Sequence, residues 1–485
     1  MSPTLRPSAT VCALLAIALA VGVLYGRTLW YDFVWDDVTL IVNNAALDRG
    51  DVSSIFSDFW GGVGRNDVGG YFRPLSTLTF HTDALLYGKK PGGFHATNVL
   101  LYLGVCWMVW ALFRQLLGSA AAAFAGALVF AVHPVHVEPV AFISSRTDLL
   151  AAFFVLAALL VGLRPVVKRE LATGAVVAIL VMLAVVAKES AAVLVLIPFL
   201  GPREWWRRLL PPFLVGLGAA LLLRAVALPE FLPSGFPQEA SLGERLLTVP
   251  WLILYYLGTV FWPLHPSAFP AVTWTTTVFE ARFLLPIALL CCLAALLWVM
   301  RRRIPMTVFG VMWGFVFLLP VLNIVQIRMR AAERFAFLPS IGLILAATAL
   351  AQRLLVGRKG RWPGIAVAVV VPCLLFPLAW RQIPVWKDSA SLWEATAVRE
   401  PGNPLVLNNL ANVRFREGRF AEAEQLYGAA LRIVPDYPEA MANLGLLLYR
   451  RGERVQALRL VEGAVRLNPQ MTAASDLLRR IREGR

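Results

Sequence analysis

The first candidate for chemistry is a pair of adjacent carboxylates. Asp36 and Asp37 follow Trp35 in the run Tyr31-Asp32-Phe33-Val34-Trp35-Asp36-Asp37, just past the first long apolar stretch. A carboxylate at an apolar boundary loses solvation and its pKa rises. That suits it to accept a proton from a hydroxyl group. Neighbouring side chains in an extended segment point opposite ways. One carboxylate is therefore expected to face the site while the other orients it or holds a cation. A solvated loop turn is the competing reading.

A second constellation is His133-Pro134-Val135-His136-Val137-Glu138-Pro139, followed by Ser144, Ser145, Arg146, Thr147 and Asp148. His133, His136 and Glu138 are metal-ligand types. Pro134 and Pro139 break the helix face such a set would need. A hydrogen-bonded network around an anionic headgroup is therefore favoured over a divalent metal, with Arg146 as the phosphate contact. A polar cap on a helical hairpin is the alternative. Lys188-Glu189-Ser190 separates two apolar runs with almost no loop. Ionisable residues at membrane depth are costly unless paired or facing a cavity. They are read as functional, or else as a neutralising Lys188–Glu189 pair. Arg328, Arg330, Glu333 and Arg334 precede a late apolar run. Their arginines call for an anion, with Glu333 holding Arg334. A surface ladder of salt bridges is the alternative. Shorter signals are Arg73 in Tyr71-Phe72-Arg73-Pro74-Leu75, and the pair His95 and Asn98. The lone His265 is read as a loop residue.

The elements that must hold these residues are membrane helices. The chain has 485 residues, of which 58% are hydrophobic and 15% charged. An ordinary soluble domain has roughly 25% charged residues. Mean hydropathy is +0.67. This excludes a cytosolic enzyme and a disordered chain, and predicts an all-α polytopic membrane protein. Apolar runs predict eleven spans near 8–28, 95–117, 119–134, 148–163, 171–187, 189–201, 209–228, 281–300, 305–325, 335–356 and 363–380. The stretch 247–262 carries Pro250 and is read as a re-entrant or interfacial helix. The first run is read as a retained helix rather than a signal peptide, because no clean small-residue cleavage site follows. The five cysteines all sit in apolar runs and form no disulfide framework or zinc spacing.

Cations cluster at Arg114, at Arg164, Lys168 and Arg169, at Arg203, Arg207 and Arg208, at Arg301, Arg302 and Arg303, and at Arg353, Arg358, Lys359 and Arg361. Lys and Arg mark the cytoplasmic side. With eleven crossings these clusters alternate correctly if the N-terminus is cytoplasmic. The long, acidic loop 30–93 and the C-terminal tail then fall outside. The formal net charge of +15 belongs mostly to those loops, which touch anionic lipid headgroups; nucleic acid is excluded as a partner.

Near residue 386 the chain turns polar and begins to repeat. Asn409 and Asn443, Gly418 and Gly452, Ala423 and Ala457, and Pro435 and Pro469 share one interval of 34 residues. That period and pattern mark tetratricopeptide repeats, an α-solenoid. Two full repeats are expected, with a leading half from about Trp386 and a capping helix from Thr472 to Arg482. The predicted domains are thus a membrane domain, 1–385, and an extracytoplasmic repeat domain, 386–485.

Taken in order, WDD in a long first loop, FRPL, GFHATNVLLY, FAVHPVHVEPVAFISSRTDLLA, AKES, ERFAFLPSIGL and a repeat tail resemble a known family. It is that of the transmembrane and tetratricopeptide-repeat O-mannosyltransferase-like proteins and their bacterial relatives, in the GT-C superfamily. The resemblance covers almost the whole chain. It implies a GT-C-like inverting glycosyltransferase that moves a sugar, often mannose, from a polyprenyl-phosphate donor to a hydroxyl acceptor, with protein as the acceptor. It maps the acidic motif onto Asp36 and Asp37, the His/Glu/Arg segment onto His133, His136, Glu138 and Arg146, and the basic segment onto Arg328, Arg330, Glu333 and Arg334. With Arg73, Lys188 and Glu189 these make up the expected site. The repeats are the expected acceptor-binding surface, and no metal is favoured. The Arg/Ala/Leu-rich composition suggests a bacterial inner membrane. The alternatives are a lipid-linked saccharide transporter, which should show internal repeats among its spans, and a non-catalytic scaffold, which would not need the acidic motif or the outer arginines.

Overall fold

A computed structural model describes residues 7–50, 53, 55, 71–164, 170–228, 240–264, 267–327, 329–355, 362–469 and 471–483. Asp51, Asp58, Asp67, Lys168, Arg169, His265, Arg328, Arg358, Lys359 and Arg361 lie outside the described residues. Among those described there are helices and no strands. The chain divides into two compact units, one of Met1–Pro266 with Val272–Pro384, the other of Ser267–Ala271 with Val385–Arg485.

In the first unit eight described helices are long and apolar enough to cross a membrane. The chain is an integral membrane protein. A ninth span arises if Ala120–Ala131 and Pro134–Ala141, bent by 56°, are taken together. Pro134 makes the bend: it offers no N–H to the preceding turn, and its ring clashes with the carbonyl four residues back. Two shorter apolar helices remain, Glu189–Leu200 and Pro305–Val321. Glu189–Leu200 is a 3-10 helix of 12 residues. At about 2.0 Å per residue it reaches roughly 24 Å, further than an α-helix of equal length. Both run from the end of the bundle that holds Arg73 and Glu189 to the end where Trp205 packs edge-on against Phe309, with ring centroids 5.5 Å apart. The helices long enough to cross thus number eight, or nine with the bent pair, among the described residues, and these two shorter helices fall at the remaining two of the eleven expected segments. The stretch read as re-entrant or interfacial is one helix, Leu242–Phe261, which passes through Pro250 and begins with a Ser241–Glu244 capping box.

Close helix approach holds the bundle together. Pro305–Leu318 lies along Phe337–Leu355. A Cβ on Gly310 would come within 2.4 Å of the Gly342 carbonyl, so only glycine lets these backbones approach this closely. Pro91–Leu117 packs on both Ala120–Ala131 and Arg146–Gly162. The connections that carry the candidate residues all converge at one end. The cationic connections lie at the other, where Gln352 Nε2 donates to the Leu117 carbonyl at 3.4 Å.

The second unit is a helical stack. Pro404–Arg416 pairs with Phe420–Ile433, and Pro438–Arg450 with Arg454–Leu467. Ser389–Arg399 precedes them and Thr472–Glu483 closes the stack. Gly418 and Gly452 turn each hairpin at φ 78 and 91, a left-handed conformation that costs glycine little.

Candidate active site

Asp36 and Asp37 leave the chain in different directions. Trp35 causes this. It sits at φ 48, in the left-handed region that bulky residues rarely enter, and its indole stacks on Phe142 with centroids 5.3 Å apart. Asp37 is buried and accepts three hydrogen bonds. They come from the Val34 N–H at 3.2 Å, the Ser144 N–H at 2.8 Å and the Ser144 hydroxyl at 2.5 Å. Burial pushes its carboxyl up to about 7, against these hydrogen bonds, which favour the charged form. Asp36 is half-buried, and its charge acts on the guanidinium of Arg334.

Arg334 is the hub on the facing side. Glu138, fully buried, receives its Nη1 and also its main-chain N–H, the latter at 3.0 Å. The guanidinium lies between two rings, 5.7 Å from the Trp35 centroid and 5.2 Å from that of Phe335. Its Nε and Nη2 make no hydrogen bond among the described residues. One edge of the fork is thus anchored, and the other remains available for a planar, bidentate anion contact. Lys188 reaches Asp148 at 2.5 Å and lies 5.3 Å from the Phe335 centroid. Arg73 grips Glu189 through two bonds, of 2.7 and 3.2 Å. The charge of Asp148 acts on Arg73, Glu138, Lys188 and Arg334 alike, so the three ion pairs form one electrostatic group.

Several expected pairings change. Lys188 and Glu189 do not neutralise each other: successive residues at a helix start face apart, and each finds a partner from another segment. Arg334 is held by Glu138, while Glu333 accepts from Gln382 Nε2 at 2.8 Å. Arg146 is not placed to clasp a phosphate. It is fully buried, with Nε on Asn98 Oδ1 at 2.7 Å, Nη1 on Thr79 at 3.3 Å, and Nη2 on the Phe94 carbonyl and Asp83 at 2.9 and 2.7 Å. Phe80 covers it, 4.8 Å from the ring centroid. The two histidines are also engaged by the protein. His133 Nδ1 accepts from Val135 N at 3.2 Å, which leaves the proton on Nε2, 2.8 Å from the Val260 carbonyl. His136 is bracketed by the Phe130 carbonyl at 2.7 Å and Ser340 Oγ at 2.9 Å. Arg330 donates to the Val272 carbonyl at 2.8 Å and lies 5.3 Å from the Trp274 centroid. Arg328 lies outside the described residues.

Sequence reasoning did not give working roles to Asp83, Asn98, Asp148 and Ser144. Asn98 is central: besides taking Arg146, its Nδ2 donates to the Val140 and Phe142 carbonyls at 3.3 and 3.4 Å. It thereby holds the segment that carries Glu138 and Ser144. The only sequence signal was its place beside His95 in an otherwise apolar run. Next to the site, a groove of ≈ 250 Å³ runs between Pro134, Tyr255, Trp262 and Glu333.

Tetratricopeptide repeat models match residues 386–438 and 414–481. Among characterised proteins, a protein O-mannosyl-transferase of Caenorhabditis elegans is 28% identical over 87% of this chain and 63% of its own length. The human protein O-mannosyl-transferase TMTC1 is 41% identical over 28% of this chain and 16% of its own. The chain is thus similar, over most of its length, to a protein named as an O-mannosyl-transferase. It spans less than two thirds of the length of these O-mannosyl-transferase relatives. A solved structure, ArnT from Cupriavidus metallidurans bound to undecaprenyl phosphate, aligns over 94% of this chain and 80% of that one, at 16% identity and a TM-score of 0.47.

Proposed function

We propose that this protein transfers a hexose, mannose by its relatives' names, from a polyprenyl-phosphate donor to a hydroxyl of a protein acceptor. The observation that carries the reading is Arg334, anchored by Glu138 with one edge uncommitted and within the field of a half-buried Asp36. Asp36 takes the acceptor's proton. The acceptor oxygen attacks the anomeric carbon, the bond from that carbon to the phosphate oxygen breaks, and the phosphate leaves with the electron pair. One displacement inverts the anomeric configuration. Arg334 binds the leaving phosphate, where charge grows in the transition state; Lys188 and Arg73, each neutralised by its own carboxylate, hold the surrounding segments in place. Asp37 is a positioning residue: its raised pKa suits a base, but its burial keeps it from an acceptor, and geometry precedes pKa. The apolar groove beside Tyr255 and Trp262 receives the lipid chain.

The reading sets the GT-C-like site at the outer face, with the N-terminus cytoplasmic, the repeats of 386–485 extracytoplasmic, and the acceptor engaged by those repeats. Purified full-length protein in detergent, given radiolabelled polyprenyl-phosphate mannose and peptide acceptors, should label the peptide. Donor binding without transfer to any hydroxyl acceptor would overturn the assignment.

A further inference from the structure

The same helices border a second, open cavity at their cation-rich ends. It measures ≈ 530 Å³ and lies where Pro91–Leu117 and Phe337–Leu355 end and Pro305–Leu318 begins. Three kinds of donor converge on it. Arg303 and Arg353 line it and are otherwise exposed. The N-cap of Pro305–Leu318 is Ile304, which caps nothing, and Pro305 carries no N–H. The first-turn N–H groups of Met306 and Thr307 therefore point toward the cavity without helical partners, at the positive end of the helix dipole. Thr307 is 7% exposed, lines the cavity, and its hydroxyl makes no hydrogen bond among the described residues. The side chain is buried, but its unpaired hydroxyl is not sealed off and is left to the cavity the arginines border. No carboxylate lines the cavity among the described residues.

The cavity also has an acceptor. Gln352 lines it and uses its Nε2 on the Leu117 carbonyl, while its Oε1, unpaired and sealed in the wall, becomes an acceptor for an occupant on a small rotation of the amide. Donors for an anion beside an acceptor for a hydroxyl or ammonium describe a phosphate ester that bears such a group. The Lys/Arg-rich ends of a bundle face the cytoplasm, at the depth of lipid headgroups.

We propose that this cavity binds a phosphate group, carried by an anionic glycerophospholipid of the leaflet opposite the candidate active site or present as the free anion. The site is separate from the sugar donor's and does not depend on the transfer reading. Its occupant ties together three helices, two of which carry Asn98 and Ser340 toward their other ends.

The test uses full-length protein stripped of lipid in neutral detergent and titrated calorimetrically with three probes. These are dihexanoyl-phosphatidylglycerol, dihexanoyl-phosphatidylcholine and inorganic phosphate. Phosphatidylglycerol should bind the wild type more tightly than phosphatidylcholine. The Arg303→Gln, Arg353→Gln double variant should lose about tenfold or more in affinity, the scale of a lost charge-assisted bond. Thr307→Val, which keeps the shape, should lose a smaller amount. Inorganic phosphate that matches phosphatidylglycerol and shows the same arginine dependence assigns the free anion as occupant. Much weaker phosphate binding assigns the lipid. If the double variant is not monodisperse, Arg353→Gln alone is read the same way. Equal binding of all probes by the wild type and the monodisperse variants overturns the site.

Discussion

Ser144 donates both its main-chain N–H and its hydroxyl to Asp37 Oδ1, at 2.8 and 2.5 Å. This pins the first long loop to the segment that carries Glu138 and Arg146, while the charge of the neighbouring Asp36 acts on Arg334. One of the two carboxylates read from the sequence as base candidates thus ties two segments together.

The tether gives a pH signature to stability. Below the ordinary carboxylate value near 4, folded and unfolded chains both hold the Asp37 proton. Between about 4 and about 7 only the folded chain holds it. Stability from this group is therefore greatest at low pH and falls as pH rises through that window, with a slope of up to about 1.4 kcal/mol per pH unit. Asp37→Asn keeps the shape and removes the proton. Thermal unfolding from pH 4 to 8 should show a flatter profile for the variant, and an unchanged slope would refute the raised pKa.

Asp36→Asn should lower kcat by about 10²–10⁴-fold with a smaller change in donor KM, the range for loss of a general base. Transfer kinetics at saturating donor decide this, and a wild-type rate would remove Asp36 from the mechanism.

Arg334→Lys keeps the charge and loses the planar fork. It should retain a fraction of the wild-type kcat, while Arg334→Gln loses about ten- to a hundredfold more. Glu138→Gln keeps a hydrogen-bonding partner for Arg334 and should affect kcat less than Arg334→Gln does. Equal kcat for all three would mean that Arg334 does not contact the leaving phosphate.

Arg146 and Asp83 form an ion pair in which the side chains are 0% and 4% exposed. Removing one partner strands a buried charge, at a cost of about 3–5 kcal/mol. Arg146→Met should lower the melting temperature strongly, and adding Asp83→Leu should recover part of the loss. In whatever fraction stays folded, donor KM should match the wild type. A raised donor KM in a stable Arg146 variant would restore it as a phosphate contact.

Alkaline phosphatase fused after Arg485 should be active, because the proposed orientation, eleven crossings from a cytoplasmic N-terminus, puts the repeats outside. An inactive fusion, with a cytoplasmic reporter active at the same position, would reverse the orientation.

Apolar length, cation clusters and the recurrence of Asn409, Gly418 and Pro435 are local properties, set by the requirement to bury or expose contiguous stretches of one chain. They make the helical bundle and the repeat stack legible in the amino-acid sequence by itself. The backbone around Asp36 and Asp37 is not legible there: an extended segment is expected from the sequence, whereas the two residues open a helical turn. Nor is partner choice. Lys188 takes Asp148 rather than the adjacent Glu189, Arg334 takes Glu138 rather than Glu333, and Arg146 is consumed by Asp83, Asn98 and Thr79. A buried charge pairs with whichever opposite charge is nearest in space when the helices pack, because an unpaired charge in a low-dielectric interior costs several kcal/mol. Which charges those are depends on how the helix ends converge, and only the tertiary structure decides that.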